Sequence, residues 1–138
     1  MRRSLLAIAV LMVPQLLSGM ALADDKADCA DAKTQLELNV CASQDYKAAD
    51  AALNAAYKKA MASMKDTDSY LPKGEKNAAD ALLAAQRAWI DYRDKACESE
   101  TFQVKGGSME PMIYAECMTR ITRERSAALD ELAQGMGN

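Results

Sequence analysis

Four cysteines, Cys29, Cys41, Cys97 and Cys117, constrain this chain of 138 residues more than any other feature. The chain has no histidine, no C-x-x-C pair and no short ligand spacing. A zinc site and a dithiol redox centre both need at least one of these, so neither metal nor redox chemistry is expected. An even cysteine count with wide spacing reads instead as two disulfides, provided the compartment is oxidising.

The first residues supply that condition. Met1-Arg2-Arg3 is a short positive start, Leu5 to Leu17 is almost wholly apolar, and Ala21-Leu22-Ala23 precedes Asp24-Asp25-Lys26. That order is a secretory signal peptide over residues 1–23, with cleavage expected after Ala23. The apolar run is too short to span a bilayer as a helix, and Pro14 interrupts it. Cys29 follows Lys26-Ala27-Asp28, which is no lipid-attachment context. The mature chain, residues 24–138, is therefore expected to be periplasmic or secreted, with no stable membrane anchor.

Removal of residues 1–23 takes away Arg2 and Arg3 and leaves 15 basic against 20 acidic residues, moving the formal charge from −3 to −5. An acidic surface argues against nucleic acid and anionic membrane and favours cationic partners, although such a charge also serves solubility alone.

The mature chain is rich in Ala, Leu, Lys, Glu, Gln and Met, and no β-branched run interrupts it. These are helix formers, so the expected class is all-α. Thr34-x-x-Glu37 has the form of a capping box and opens the first helix. Leu36, Val40, Tyr46, Leu53, Tyr57, Met61 and Met64 then recur mostly every three or four residues, as one helical face does. Ser43 offers a second cap, so one helix and two segments both fit this stretch.

Pro72 and Gly74 mark a loop over residues 66–74. A second helix is expected over residues 75–98, with Leu82, Gln86, Trp89, Arg93 and Cys97 on one stripe, and Leu83 and Ile90 beside it. A second loop covers residues 99–110. A third helix begins near Pro111, turns Ile113, Cys117, Ile121, Leu129 and Leu132 inward, and stops near Gly135. Short loops between long amphipathic helices give an antiparallel three-helix bundle with an N-terminal segment across one end. Four cysteines allow three pairings. The hairpin between the second and third helices favours Cys97–Cys117, and Cys29–Cys41 follows by elimination.

Polar residues on or beside the inward stripes are the first candidates for function: Asp50, Asn54 and Tyr57 on the first helix, and Gln86, Trp89, Tyr92, Arg93 and Asp94 on the second. They read as a ligand pocket or, better, as a buried network that fixes helix register. An inward Arg93 requires a carboxylate, and helix geometry favours Asp50 over Asp94. Thr122-x-x-Arg125-x-x-x-Leu129 is mostly the core edge of the third helix. Arg120, Arg123 and Arg125 together could form an anion site, but Glu116, Glu124, Asp130 and Glu131 lie among them, so a solvated mixed-charge face is the better reading. Lys105-Gly106-Gly107-Ser108 is either a protruding binding loop or simply a turn. With no histidine, all cysteines paired and no carboxylate pair placed at a cleft, neither an enzyme nor a cofactor is expected.

These residues in order resemble the LprI-like family, secreted domains named after a lysozyme inhibitor. The resemblance rests on Cys29, Thr34-Gln35, Asn39-x-Cys41 and Tyr46-x-x-x-Asp50-x-x-Leu53-Asn54-x-x-Tyr57. It continues through Ala85-Gln86-x-x-Trp89-x-x-Tyr92-Arg93-Asp94-x-x-Cys97, Gly106-Gly107-Ser108 and Cys117-x-x-x-x-Thr122-x-x-Arg125-x-x-x-Leu129. It implies a compact, helical, disulfide-bonded exported domain and, as a function, inhibition of lysozyme, but supplies no residue-level inhibitory motif. The acidity of the chain points to a cationic enzyme, and Ser108 in the second loop is the candidate to enter its cleft. A scaffold or interaction protein of the envelope is the alternative. Unlike the lipoprotein form of the namesake, this sequence carries no lipid-attachment cysteine.

Overall fold

The computed structural model describes residues 29–135; the expected signal peptide and its cleavage point lie outside them. Three helices follow in order: α1, Gln35–Tyr70; α2, Ala78–Thr101; and α3, Glu110–Gln134. A single 3₁₀ turn, Phe102–Val104, follows α2, and there is no strand among the described residues. α1 is one unbroken helix, so Ser43 caps nothing. Its start is the expected capping box: the Glu37 N–H donates to Thr34 Oγ1 at 3.3 Å, and Glu37 Oε2 accepts from the Thr34 N–H at 2.8 Å. α3 stops at Gly135, whose φ of 77° suits glycine.

Both disulfides are the expected ones, Cys29–Cys41 and Cys97–Cys117. The second joins the last turns of α2 to the start of α3, so these helices are antiparallel neighbours. α1 and α3 run parallel and share the largest helix–helix interface. Asn39 donates to the Ser108 carbonyl and Gln35 to Met112 Sδ at one end, while Lys59 pairs with Asp130 toward the other.

The reason for this closeness is a seam of small residues. Ala42, Ala49, Leu53, Ala56 and Ala60 are buried on α1, with Tyr46 half-buried between them, and their steps alternate between three and four residues. α3 answers with Ala115, Thr119 and Thr122 among its buried positions. Short side chains let helix axes approach, as knobs-into-holes packing requires. The Thr119 hydroxyl is satisfied by the Ala115 carbonyl. Thr122 Oγ1, fully buried, has no partner.

Two apolar clusters form the core. Leu53, Ala56, Ala60, Leu82 and Leu129 make one, and Cys97, Cys117, Met118 and Ile121 the other. Trp89 packs against both.

Several expected positions move. The first loop shrinks because α1 continues to Tyr70, and α2 begins at Ala78 rather than residue 75. Asp68 explains both shifts. From the last turns of α1 its carboxylate accepts the Ala78 and Ala79 N–H groups at 2.8 and 3.1 Å, capping α2 across the turn. Asn77, at the N-cap position itself, makes no side-chain cap bond. α2 also runs on to Thr101, and Glu110 already belongs to α3. Leu36 and Leu132 face solvent rather than the core. Leu36 lies in the first turn of α1, ahead of the seam that begins at Ala42.

These caps set an acid limit. Accepting the Ala79 and Ala78 N–H groups holds the Asp68 carboxyl below its usual range, and the Thr34 and Lys33 N–H groups do the same for Glu37. A depressed folded-state pKa contributes stability that is complete above the unfolded value and is lost as pH falls through the lower folded value. Melting temperature should therefore hold steady down to about pH 5 and fall below about pH 4, where carboxylates titrate in unfolded chains. Asp68→Asn should lower it at neutral pH and flatten the acid slope. Thermal melts across pH check both; an unchanged acid slope would contradict the assignment.

Candidate functional site

The residues singled out in the sequence fall at two places, and only one of them is a surface. The first is the junction of all three helices around Trp89. Arg93 is 7% exposed and lies between two rings, its Cζ 5.0 Å from the Trp89 centroid and 5.8 Å from that of Tyr46. Its Nε and Nη2 donate to one oxygen of Asp94 at 2.9 and 2.8 Å, while Asp50 stands 3.8 Å from Nη1.

The expected order of partners is thus reversed. Adjacent helical residues diverge by about 100° at the backbone, but the long arginine side chain reaches back far enough to meet Asp94 at the helix edge. Asp50 and Asp94 remain 42% and 47% exposed at their side chains, so the charged end of the pair is wet although the guanidinium is not. Burial raises the Tyr46 pKa despite the opposing charge of Arg93.

Arg125 joins the same junction, in keeping with the core edge of α3 and not with a solvated mixed-charge face. Its Nε donates to the buried Gln86 Oε1 at 3.0 Å and its guanidinium sits 6.0 Å from the Trp89 centroid. Burial lowers its pKa from the usual guanidinium value. Tyr57 packs half-buried against the first cluster. Asn54 does not face inward: it is exposed and donates to Asp50 at 3.0 Å. Tyr92 is exposed and lies outside the network. One indole flanked by two guanidiniums ties α2 to both neighbours. Cation–π contacts are worth about 0.5–2 kcal/mol each, with burial favouring the upper end.

The second place is the end of the bundle where both disulfides lie. The Lys105–Ser108 segment is held there on three sides. Glu110 accepts from Lys105 Nζ at 2.8 Å and from the Gly106 N–H at 2.7 Å, and the Gly107 N–H donates to the Val104 carbonyl. Asn39 reaches across from α1 to the Ser108 carbonyl at 3.0 Å. Gly106 has φ 75°, which favours glycine, and a β-carbon at Gly107 would meet the Val104 carbonyl oxygen at 3.0 Å. The glycines therefore have a structural reason to be there.

Around this fixed turn, large apolar side chains face solvent. Phe102 is 64% exposed, and Met109, Tyr114, Leu36 and Leu38 are exposed as well. The Cys97–Cys117 segment carries Glu98, Glu100, Glu110 and Glu116; Lys105 pairs with Glu110 and Arg120 of α3 with Glu100, which leaves Glu98 and Glu116 outside these pairs. An acidic, apolar, covalently braced surface has the composition of a protein-binding patch. Sequence reasoning found its loop but missed Phe102, Met109 and Tyr114. No periodicity distinguishes an exposed aromatic residue near a helix end from a core one.

No described helix is long and apolar enough to cross a membrane. Among the described residues, no group of three or more acidic, cysteine or histidine side chains is placed to hold a metal ion.

The family model for "Lysozyme inhibitor LprI" matches residues 26–129, which include both disulfides. The uncharacterized protein R02472 of Rhizobium meliloti (strain 1021) is 48% identical over 116 residues, covering 80% of this chain and 82% of that one. The uncharacterized protein YecT of Escherichia coli (strain K12) is 31% identical over 94 residues, covering 64% and 58%. The crystal structure of a DUF1311 family protein from Pseudomonas putida KT2440 superimposes with a TM-score of 0.65 at 23% identity. That match covers 74% of this chain and 96% of that one, and it is a likeness of fold.

Proposed function

This chain belongs to the lysozyme inhibitor LprI family, and on that footing we propose that it is an exported binding protein that inhibits a lysozyme and has no catalytic activity of its own. The family match over residues 26–129 is the observation that carries this reading. The two disulfides fit an oxidising compartment, in keeping with a signal peptide over residues 1–23. The braced, acidic end of the bundle is the surface best suited to a cationic enzyme. Covalent bracing lowers the ordering cost of binding. Its carboxylates favour encounter with a basic partner. Ser108, exposed on a turn that Asn39 holds through the Ser108 carbonyl, is in this reading the candidate to enter the enzyme's cleft.

The test is a cell-wall lysis assay with protein recovered from the periplasm of expressing cells. Micromolar protein should suppress lysis by at least one of the chicken-type, goose-type and invertebrate-type lysozymes. The effect should weaken as salt rises, because exposed charges are screened over about 10 Å at 0.1 M. Unimpeded lysis by all three would overturn the proposal. Pull-down from the envelope of partners other than muralytic enzymes would then favour a scaffold role. Release of soluble fragments from purified peptidoglycan by the protein alone would contradict the non-catalytic part.

A further inference from the structure

Beside the Cys97–Cys117 disulfide, a recess of about 300 Å³ opens between the last turns of α2 and the first turns of α3. Glu98, Thr101, Lys105, Glu110, Pro111 and Tyr114 line it. Two of its three charges are already matched. Glu110 holds Lys105 at 2.8 Å and the Gly106 N–H at 2.7 Å, so this carboxylate and this ammonium serve the turn. Lys105 also lies 5.5 Å from the Phe102 centroid.

Glu98 differs from both. Its carboxylate is exposed and makes no hydrogen bond or salt bridge among the described residues; it acts on Lys105 only through its field, while its backbone carbonyl accepts the Thr101 hydroxyl at 2.7 Å. With that hydroxyl satisfied, Thr101 and Pro111 present mainly carbon to the space. The recess thus offers one uncommitted carboxylate, a partly exposed tyrosine ring and an apolar wall.

A flat cation with an aliphatic stem satisfies all three features at once. A guanidinium forks onto a carboxylate, stacks on an aromatic face and is weakly hydrated. An anion would meet Glu98 with no free cation to hold it. The surroundings are consistent with this: Arg120 is taken up by Glu100 at 2.6 Å and Lys105 by Glu110, and exposed Phe102 lies against Lys105. We propose that the recess receives an arginine side chain from a basic protein partner, paired with Glu98 and stacked on Tyr114. Identifying that partner with a lysozyme rests on the reading of the preceding section; the chemistry of the recess does not.

Two measurements on the periplasmically expressed protein separate the claims. The first is an NMR titration with acetyl-arginine amide, which needs no lysozyme. Saturable shifts concentrated at Glu98, Thr101 and Tyr114, and weaker ones with acetyl-lysine amide, are expected. Shifts spread over all carboxylates, or equal responses to the two amides, would overturn the proposal.

The second is calorimetric titration with whichever lysozyme the protein inhibits. Glu98→Gln and Tyr114→Ala should each weaken binding on the order of tenfold. Glu131→Gln, which removes one charge at the opposite end of α3, should change it by less than about twofold. Circular dichroism confirms that the variants fold. Equal weakening by Glu98→Gln and Glu131→Gln would mean that only net charge matters, and would overturn the recess while leaving inhibition intact. If no lysozyme binds but acetyl-arginine amide still maps to Glu98 and Tyr114, the recess stands and the lysozyme reading falls.

Discussion

Replacing Cys97 and Cys117 together by alanine is expected to lower the unfolding free energy by roughly 3–4 kcal/mol, the largest effect of any change considered for this chain. The sequence separation of the pair is 20 residues. In the chain-entropy model a loop of that size contributes roughly 3 kcal/mol by restricting the unfolded state. Packing adds to it. The two cysteines are 0% and 2% exposed and form a cluster with Met118 and Ile121, so alanine leaves a small void. Cys29–Cys41, at a separation of 12, closes a loop of comparable entropy, but Cys29 is exposed. Its removal should lack the packing part. Urea denaturation of the two double variants checks the order. A smaller loss for the Cys97–Cys117 variant would contradict the placement of that pair in the core.

Arg93→Ala is expected to cost roughly 2–3 kcal/mol. Removing one partner of a buried ion pair commonly costs 3–5 kcal/mol, because a charge is left stranded. Here the carboxylates of Asp94 and Asp50 are nearly half exposed and would be rehydrated, so the stranded-charge share is small. What remains is the slot between Trp89 and Tyr46, emptied of a planar group. Arg93→Lys should recover less than half of the loss, since an ammonium neither forks onto Asp94 nor fills the slot as a plane. Denaturation and partner binding measured on the same preparations test the role. Binding should track the folded fraction; a stable variant that no longer binds would place Arg93 in the interface instead.

The capping box, the stop at Gly135, the stripe of α2 and the Cys97–Cys117 pair were legible because each depends on local spacing or on helix-hairpin geometry. The seam between α1 and α3 was not. Ala42, Ala49, Ala56 and Ala60 are buried, while Ala51, Ala52, Ala55 and Ala62 are exposed, and alanine carries no mark of which side it faces. The larger residues drew the stripe toward Leu36, which is exposed. The Asp68 cap lay hidden because its acceptor is a full loop away from the N–H groups it serves. Arg125 looked solvated because its partner is Gln86, an uncharged side chain that no count of charges reveals. Asp50 was favoured over Asp94 by backbone direction, and side-chain reach decided otherwise.

The parallel contact between α1 and α3 joins the first and last helices of the fold, and so it orders events during synthesis. Until residues 110–134 have left the ribosome, the alanine face of α1 has nothing to close upon, and α2 alone offers a smaller surface. A nascent chain without residues 110–134 is therefore expected to lack a closed core. On the export route proposed above such a delay would be useful, because an unclosed chain threads a translocation pore more readily than a finished bundle. A fragment ending at residue 105 should accordingly be cut by protease at rates typical of unfolded chains, whereas the complete chain resists.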